Sequence, residues 1–342
     1  MKQTIQPYKY LSLEAFSSLT QTGSLDGVKQ EPTRKAYEEV ILEVGKINPN
    51  VVVLDADNSR SVGTSRFKEM FPDRSFNFGI AEQNMLAAAA GMASTGLIPF
   101  VSAYAVFATM RALDQVRNSI HYPHLNVKIA ASHGGITPSP DGVTHQCQEE
   151  LAIMRTIANS TIIACADSIS TKKAVIEASV MNGPVYLSFT RIPVPLLYDE
   201  TYPFKIGKAI VIREGTDVTI IAIRDMVSQA LIAAELLAKK GISARVIDMH
   251  TLKPIDTNVI LSAARETGAI ITVESGTIIG GLGSAVSEVL CEDYLVPLKR
   301  IGIKDTFAES GSYSDILEKY ELTANHIVKA VNELLLRKSK DI

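Results

Sequence analysis

A recurring pattern restricts the fold of this chain more than any other feature: short apolar, β-branched runs that end in polar residues and are separated by helical stretches. Val51 to Leu54 leads into Asp55-Ala56-Asp57, and Val127 to Ala131 into Ser132-His133-Gly134-Gly135. Thr161 to Ala164 leads into Ala166-Asp167, and Val185 to Phe189 into Thr190-Arg191. Uninterrupted apolar runs imply strands buried on both faces, hence a parallel sheet covered by helices such as the one the spacing predicts over Thr33 to Val44. In such sheets ligands bind beyond the carboxyl ends of the strands, where these polar residues fall.

The pattern breaks at Ile192-Pro193-Val194-Pro195 and Tyr202-Pro203-Phe204, then restarts at Val218 to Ala222. Helices are expected from about Met226 to Lys239, Asn258 to Glu266 and Gly283 to Leu290, with strands at Ser243 to Asp248 and Ala269 to Glu274. The expected organisation is two three-layer α/β domains with mostly parallel sheets, at 30–195 and 208–342, joined by a linker at 196–207. Residues 1–29, with the polar stretch Thr20-Gln21-Thr22-Gly23-Ser24, read as a loosely packed arm. A net charge of -3 leaves no electrostatic footprint for nucleic acid or anionic membrane. The absence of a membrane-length apolar run or an apolar signal core after Met1 points to a cytoplasmic location.

Candidate chemistry begins at Gly79-Ile80-Ala81-Glu82-Gln83-Asn84-Met85, which opens an Ala- and Gly-rich run to Gly96. A helix so small and apolar on every face is expected to be buried all round, carrying Glu82 in with it. Two readings are open. Glu82 either complements the helix dipole in the first turn, or forms a site built around a buried carboxyl group.

His133 and His145 lie on one Gly- and Pro-rich loop together with Asp141, and read as an acid and a base or as hydrogen-bonded structural histidines. Phe100, Tyr104 and Phe107 lie between Glu82 and His133, in a segment leading into a helix expected over Ala112 to Ile120. They read either as core or as a flat slot that stacks a heteroaromatic ring. Cys147, Cys165 and Cys291 are too widely spaced for a metal cluster and read as small buried side chains. Gly280-Gly281-Leu282-Gly283 resembles a dinucleotide-binding loop, but Val286 stands where its third glycine belongs.

Gly79-Ile80-Ala81-Glu82-Gln83-Asn84-Met85, Ser132-His133 with Gly135-Ile136, and Asp141-Gly142-x-Thr144-His145-Gln146 resemble the pyrimidine-binding domain of transketolase. Val273 to Ala285 resembles part of the transketolase C-terminal domain. The family's diphosphate-binding Gly-Asp-Gly is missing, so the chain resembles the C-terminal subunit of a split transketolase. The resemblance implies thiamine diphosphate and Mg2+ as cofactors, the metal held by a separate diphosphate-binding subunit, and an assembly with two of each chain that transfers a two-carbon ketol unit between sugar phosphates. It implies that Glu82 hydrogen-bonds a ring nitrogen of the aminopyrimidine, with Tyr104, Phe107 and Phe100 flanking that ring and Asp57 near the cofactor. His133 and His145 are expected to contact the sugar hydroxyls and the donor carbonyl, and Asp141 a substrate hydroxyl. Arg34, Ser61 and Arg191 are expected to grip a terminal phosphate. No metal ligand is expected in this chain.

Many transketolases have Thr-His-Asp-Ser-Ile and Gly-Glu-Asp-Gly where this chain has Ser132-His133-Gly134-Gly135-Ile136 and Ser139-Pro140-Asp141-Gly142. The loss of the acid before Asp141 leaves the acceptor end open to an unusual or branched sugar phosphate. Deoxyxylulose-phosphate synthase usually has an acidic residue at the place of His133. The beta subunit of 2-oxo acid dehydrogenases generally lacks both histidines. A non-catalytic scaffold of the same fold is the alternative outside enzymes, against which Glu82, His133 and His145 all stand.

Overall fold

The structure is a computed structural model that describes residues 8–338. The expected strands assemble into two mostly parallel sheets covered by helices. A seven-stranded sheet runs in the order Thr251–Lys253, Thr161–Ile163, Val185–Ser188, Lys128–Ser132, Ile98–Tyr104, Val51–Asp55, Ser75–Asn77. All neighbours are parallel except Thr251–Lys253, which the second half of the chain lends to the sheet antiparallel to Thr161–Ile163. A five-stranded sheet orders Leu298–Ile303, Ile270–Thr277, Val218–Ala222, Ala244–Asp248 and Ile210–Arg213, the last antiparallel to its neighbour.

On one face of the larger sheet, helix Thr33–Ile47 buries Ala36, Tyr37, Val40, Ile41 and Val44 against Val51, Val53 and Phe100. On the other face, Met85, Leu86 and Ala89 pack over Leu54 and Val101, in a core that continues through Ile221, Ile247 and Leu252. The two sheets therefore share apolar contacts. No helix among the described residues is long and apolar enough to cross a membrane.

Three expectations need correction. Helix Glu82–Ser94 is not buried all round: Met85, Leu86, Ala89 and Ala90 face the core while Gln83, Asn84, Ala87 and Gly91 are exposed. The helix expected over Ala112 to Ile120 is replaced by two π-helical stretches, Phe107–Arg111 and Gln115–His121. A wider turn of this kind often marks functional sites. The loosely packed arm is absent from the described part of 1–29, and residues 1–7 lie outside the described residues. Helix Leu13–Thr22 is capped by the Ser12 hydroxyl and by Gly23. Its Ala15 and Leu19, with Leu11 and Leu25, join the core beside Ala230, Leu231 and Ala234.

The segment between the sheets is also tightly held. Val194–Pro195 pairs antiparallel with Gln30–Glu31. Tyr198 and Tyr202 stack with ring centroids 4.0 Å apart. Their hydroxyls donate to Asp248 Oδ2 at 2.8 and 2.9 Å. Burial pushes the Asp248 carboxyl up to about 7, against about 3.9 in an unfolded chain. The folded state keeps a proton that the unfolded state releases, so this group's stabilisation is full below about pH 4 and is lost as pH rises through about 7. Asp248→Asn is expected to remove that loss. Plotted against pH, the Tm of the wild type should fall relative to that of the variant between pH 4 and 7, and a constant difference would refute the assignment.

Candidate functional site

Most of the expected residues converge at the carboxyl ends of the Val51–Asp55, Ile98–Tyr104, Lys128–Ser132 and Val185–Ser188 strands. Tyr104 closes its strand and Phe107 opens the π-helical stretch that follows. Their rings lie 5.7 Å apart and nearly parallel, with 19° between planes. The His133 ring stacks on Tyr104 at 3.8 Å and 24°. His145 meets both aromatics at an angle, 6.1 Å from Tyr104 and 5.7 Å from Phe107. The two histidines of the loop thus share one aromatic wall.

Glu82 is the first residue of its helix and only 1% exposed. A buried carboxylate needs a partner, and here Arg111 Nη1 donates to Glu82 Oε2 at 2.7 Å. The same guanidinium lies over the Phe107 ring, 4.2 Å from its centroid. His133, Tyr104, Phe107 and Arg111 are therefore linked by successive ring contacts that lead to Glu82. Arg111 was not anticipated from the sequence, in which the expected helix began only at Ala112.

His133 is held in a left-handed backbone conformation, φ 65°, which costs a non-glycine residue about 1–3 kcal/mol and requires support from its surroundings. That support is visible. Its Nδ1 is 2.8 Å from Ser132 Oγ, Gly134 N donates to Phe189 O at 3.0 Å, and Gly135 N donates to Glu150 Oε1 at 2.9 Å. Gly135, φ 59°, admits no side chain because a Cβ would collide with Arg224 and the Ser275 carbonyl. Burial, reinforced by the charges of Arg34 and Arg191 and by His145, pushes the His133 imidazole down to about 3. It is neutral at physiological pH and offers one donor and one acceptor.

A buried polar network underlies this loop. Arg224, just past the Val218–Ala222 strand, pairs with Glu150 and Asp225, and donates to Ser188 Oγ at 2.8 Å and Ser275 Oγ at 2.9 Å. Tyr186 donates to Glu150, and Tyr313 to Asp225. Nothing in the periodicity pointed to Arg224 or Glu150; only their places, at a strand end and a helix start, were suggestive.

The anion-binding candidates are also near one another. Burial and the like charge of Arg191 lower the pKa of Arg34. Arg34 Nη1 donates to the main-chain carbonyl of Ser61 at 2.7 Å, so Ser61 orients this arginine through its backbone. Arg191 forms an ion pair with Asp141 at 3.2 Å. Each of these side chains remains partly open to solvent.

Two expected residues sit elsewhere. Phe100 is fully buried beside Tyr37, with centroids 6.5 Å apart, under helix Thr33–Ile47 and away from the ring stack. Asp57 is exposed, φ 62°, and exchanges hydrogen bonds with Asn77 at 3.2 and 3.3 Å. Cys147 is buried, 3.4 Å from Thr109 Oγ1, and burial raises its thiol pKa, so it packs as an inert side chain.

The residues fit the aminopyrimidine half of thiamine diphosphate. A buried carboxyl group stands at the end of an aromatic wall, where a flat nitrogen heterocycle can stack and meet it edge-on. They do not fit the metal: no group of three or more His, Cys, Asp or Glu among the described residues could hold an ion. The glycine-rich turn at Gly280 to Gly283 does not fit a dinucleotide either. Glu274 accepts from the Leu282 and Gly283 amides at 2.8 Å each, filling with the chain's own carboxylate the helix N-terminus that a pyrophosphate would need.

Comparison with known proteins gives the family. The transketolase pyrimidine-binding domain family matches residues 29–195, and the transketolase C-terminal domain family matches residues 207–327. A putative transketolase C-terminal section from Methanocaldococcus jannaschii is 45% identical over 303 residues, covering 88% of this chain and 95% of that protein. A 6-deoxy-6-sulfo-D-fructose transketolase subunit from Clostridium sp. strain MSTE9 is 42% identical over 306 residues, covering 90% and 95%. A solved structure described as a split gene transketolase, inactive beta4 tetramer, superposes with a TM-score of 0.83 at 47% identity, covering 89% of this chain and 98% of that one. With both domain families matched in order and relatives this similar over nearly their full length, the chain belongs to the transketolase family of thiamine-diphosphate enzymes, among the C-terminal subunits of split transketolases.

Proposed function

We propose that this chain supplies the pyrimidine-binding half of a thiamine-diphosphate-dependent transketolase, moving a two-carbon ketol unit from a ketose phosphate to an aldose or aldose phosphate. The observation that carries this reading is Glu82, 1% exposed at the end of the His133–Tyr104–Phe107 stack. A separate N-terminal subunit holds the diphosphate and Mg2+, two of each chain assemble in the cytoplasm, and this chain is inactive alone. Residues 30–195 carry the site, the linker is 196–207, and 208–342 is the supporting domain.

When bound, thiamine diphosphate supplies the nucleophilic carbon for the transfer. The residues of this chain do the rest. Tyr104 and Phe107 fix the plane of the ring, and Glu82 exchanges a proton with its nitrogen, a positioned transfer that contributes roughly 10²–10⁴ in rate. His145 and the neutral His133 imidazole contact the donor carbonyl and hydroxyls, and Asp141 accepts from a sugar hydroxyl. Arg34, oriented by Ser61, and Arg191 receive the terminal anion through their planar forks. The subunit from Clostridium sp. strain MSTE9 is named for a sulfo sugar, and a sulfonate would meet the same two guanidiniums.

The test mixes this chain with a subunit bearing the Gly-Asp-Gly motif, thiamine diphosphate and Mg2+, and measures two-carbon transfer over a panel of sugar phosphates. Activity only in the mixture is expected. Cofactor binding and complex formation without transfer across the panel would overturn the reading. In the active mixture, Arg191→Ala is expected to raise KM for a phosphorylated ketose about ten- to hundredfold, the effect of one charged hydrogen-bonding group. The kcat/KM for an unphosphorylated ketose should change little, and equal losses for both substrates would remove Arg191 from the anion site.

A further inference from the structure

Arg111 has no part in the roles above, yet it touches the most important of these residues. Its guanidinium lies over Phe107, 4.2 Å from the ring centroid, and points an N–H at Glu82 Oε2, 2.7 Å away. Those are the two contacts that an aminopyrimidine needs here: a face against Phe107 and an edge toward the acid. Guanidinium is suited to imitate such a ring, being planar, weakly hydrated and ready to stack on aromatics. Exposure points the same way. The Glu82 side chain is 2% exposed and that of Arg111 42%, so the acid is fixed in the protein while the arginine reaches it from the solvent rim.

We propose that Arg111 is a positioning residue that stands in for the cofactor's pyrimidine: in the separated subunit it occupies the ring's place and keeps the Glu82 carboxyl aimed, and it swings out when the cofactor and the partner subunit arrive. The proposal rests on the half-site reading above and extends it. Its consequence is competition. The binding-competent conformation is the one with Arg111 displaced, so the observed cofactor affinity is reduced by the fraction of time the arginine spends on Glu82. In exchange, a buried carboxylate is never left unpaired while the subunit is alone.

The test measures thiamine diphosphate binding to the assembled, Mg2+-loaded complex by equilibrium titration, without reference to turnover. Arg111→Met keeps most of the stem and removes the planar cation, and should lower the apparent Kd about tenfold. Arg111→Lys keeps the charge but loses the plane, and should fall between. A second readout uses melting temperatures in a double-mutant cycle of Arg111→Met with Glu82→Gln. Coupling between the two sites is expected in the lone chain and should vanish in the cofactor-loaded complex. If the wild-type complex binds cofactor and Arg111→Met binds it equally or more weakly, or if the coupling survives loading, Arg111 is a permanent partner of Glu82 and the proposal fails alone. If the wild-type complex binds no cofactor, the half-site reading fails and takes the proposal with it.

Discussion

Glu82→Gln is expected to lower two-carbon transfer in the assembled enzyme by about 10²–10⁴, the range for losing one positioned proton-transfer group. Glutamine matches glutamate in size and fills the same buried place at the start of helix Glu82–Ser94. In the lone chain its amide oxygen can still accept a hydrogen bond from Arg111, weaker for want of the charge, so the start of the helix stays folded. Only the exchangeable proton is lost. The melting temperature of the lone chain should stay within a few degrees of wild type while kcat collapses. A variant that keeps nearly full turnover would remove Glu82 from the chemistry, whatever its burial.

The largest expected stability effect comes from Arg224→Met. Arg224, Glu150 and Asp225 are all buried, and the arginine is the cation that both carboxylates face. Removing one partner of a buried ion pair leaves an uncompensated charge and costs about 3–5 kcal/mol. At this chain length that corresponds to a Tm lower by roughly 4–7 °C. Adding Glu150→Gln should recover part of the loss, because the orphaned charge goes with it. Calorimetry of the two variants checks this, and a single variant as stable as wild type would mean that the network is energetically idle.

How far the sequence revealed this molecule depends on what kind of signal each residue left. The sheets were legible because a strand buried on both faces must be a continuous apolar run, and Val51 to Leu54 and Val127 to Ala131 are such runs. The candidate site was legible because loops at strand ends carried histidine, arginine and aspartate out of proportion to a turn's needs. The first segment was misread because Thr20 to Ser24 dominated the impression of polarity. Ala15 and Leu19, four residues apart, already marked one face of a helix.

Phe100 shares its strand and its face with Tyr104, yet lies four residues short of the carboxyl end and so belongs to the core. Position along a strand decided its role, and local pattern could not supply that. The π-helical stretch at Phe107–Arg111 and the partners of Arg224 depend on tertiary contacts that no short-range spacing encodes.

Strand Thr251–Lys253 bears on where this protein can be cut. It comes from beyond the linker but closes the edge of the first sheet, pairing with Thr161–Ile163. An excised fragment ending near residue 207 would present that edge bare, with the row of unpaired amides and carbonyls that recruits a neighbouring chain. The pyrimidine-binding half is therefore not a detachable part. Anyone seeking a minimal version for grafting or display should keep both halves in one polypeptide, and look for expendable residues outside the two sheets.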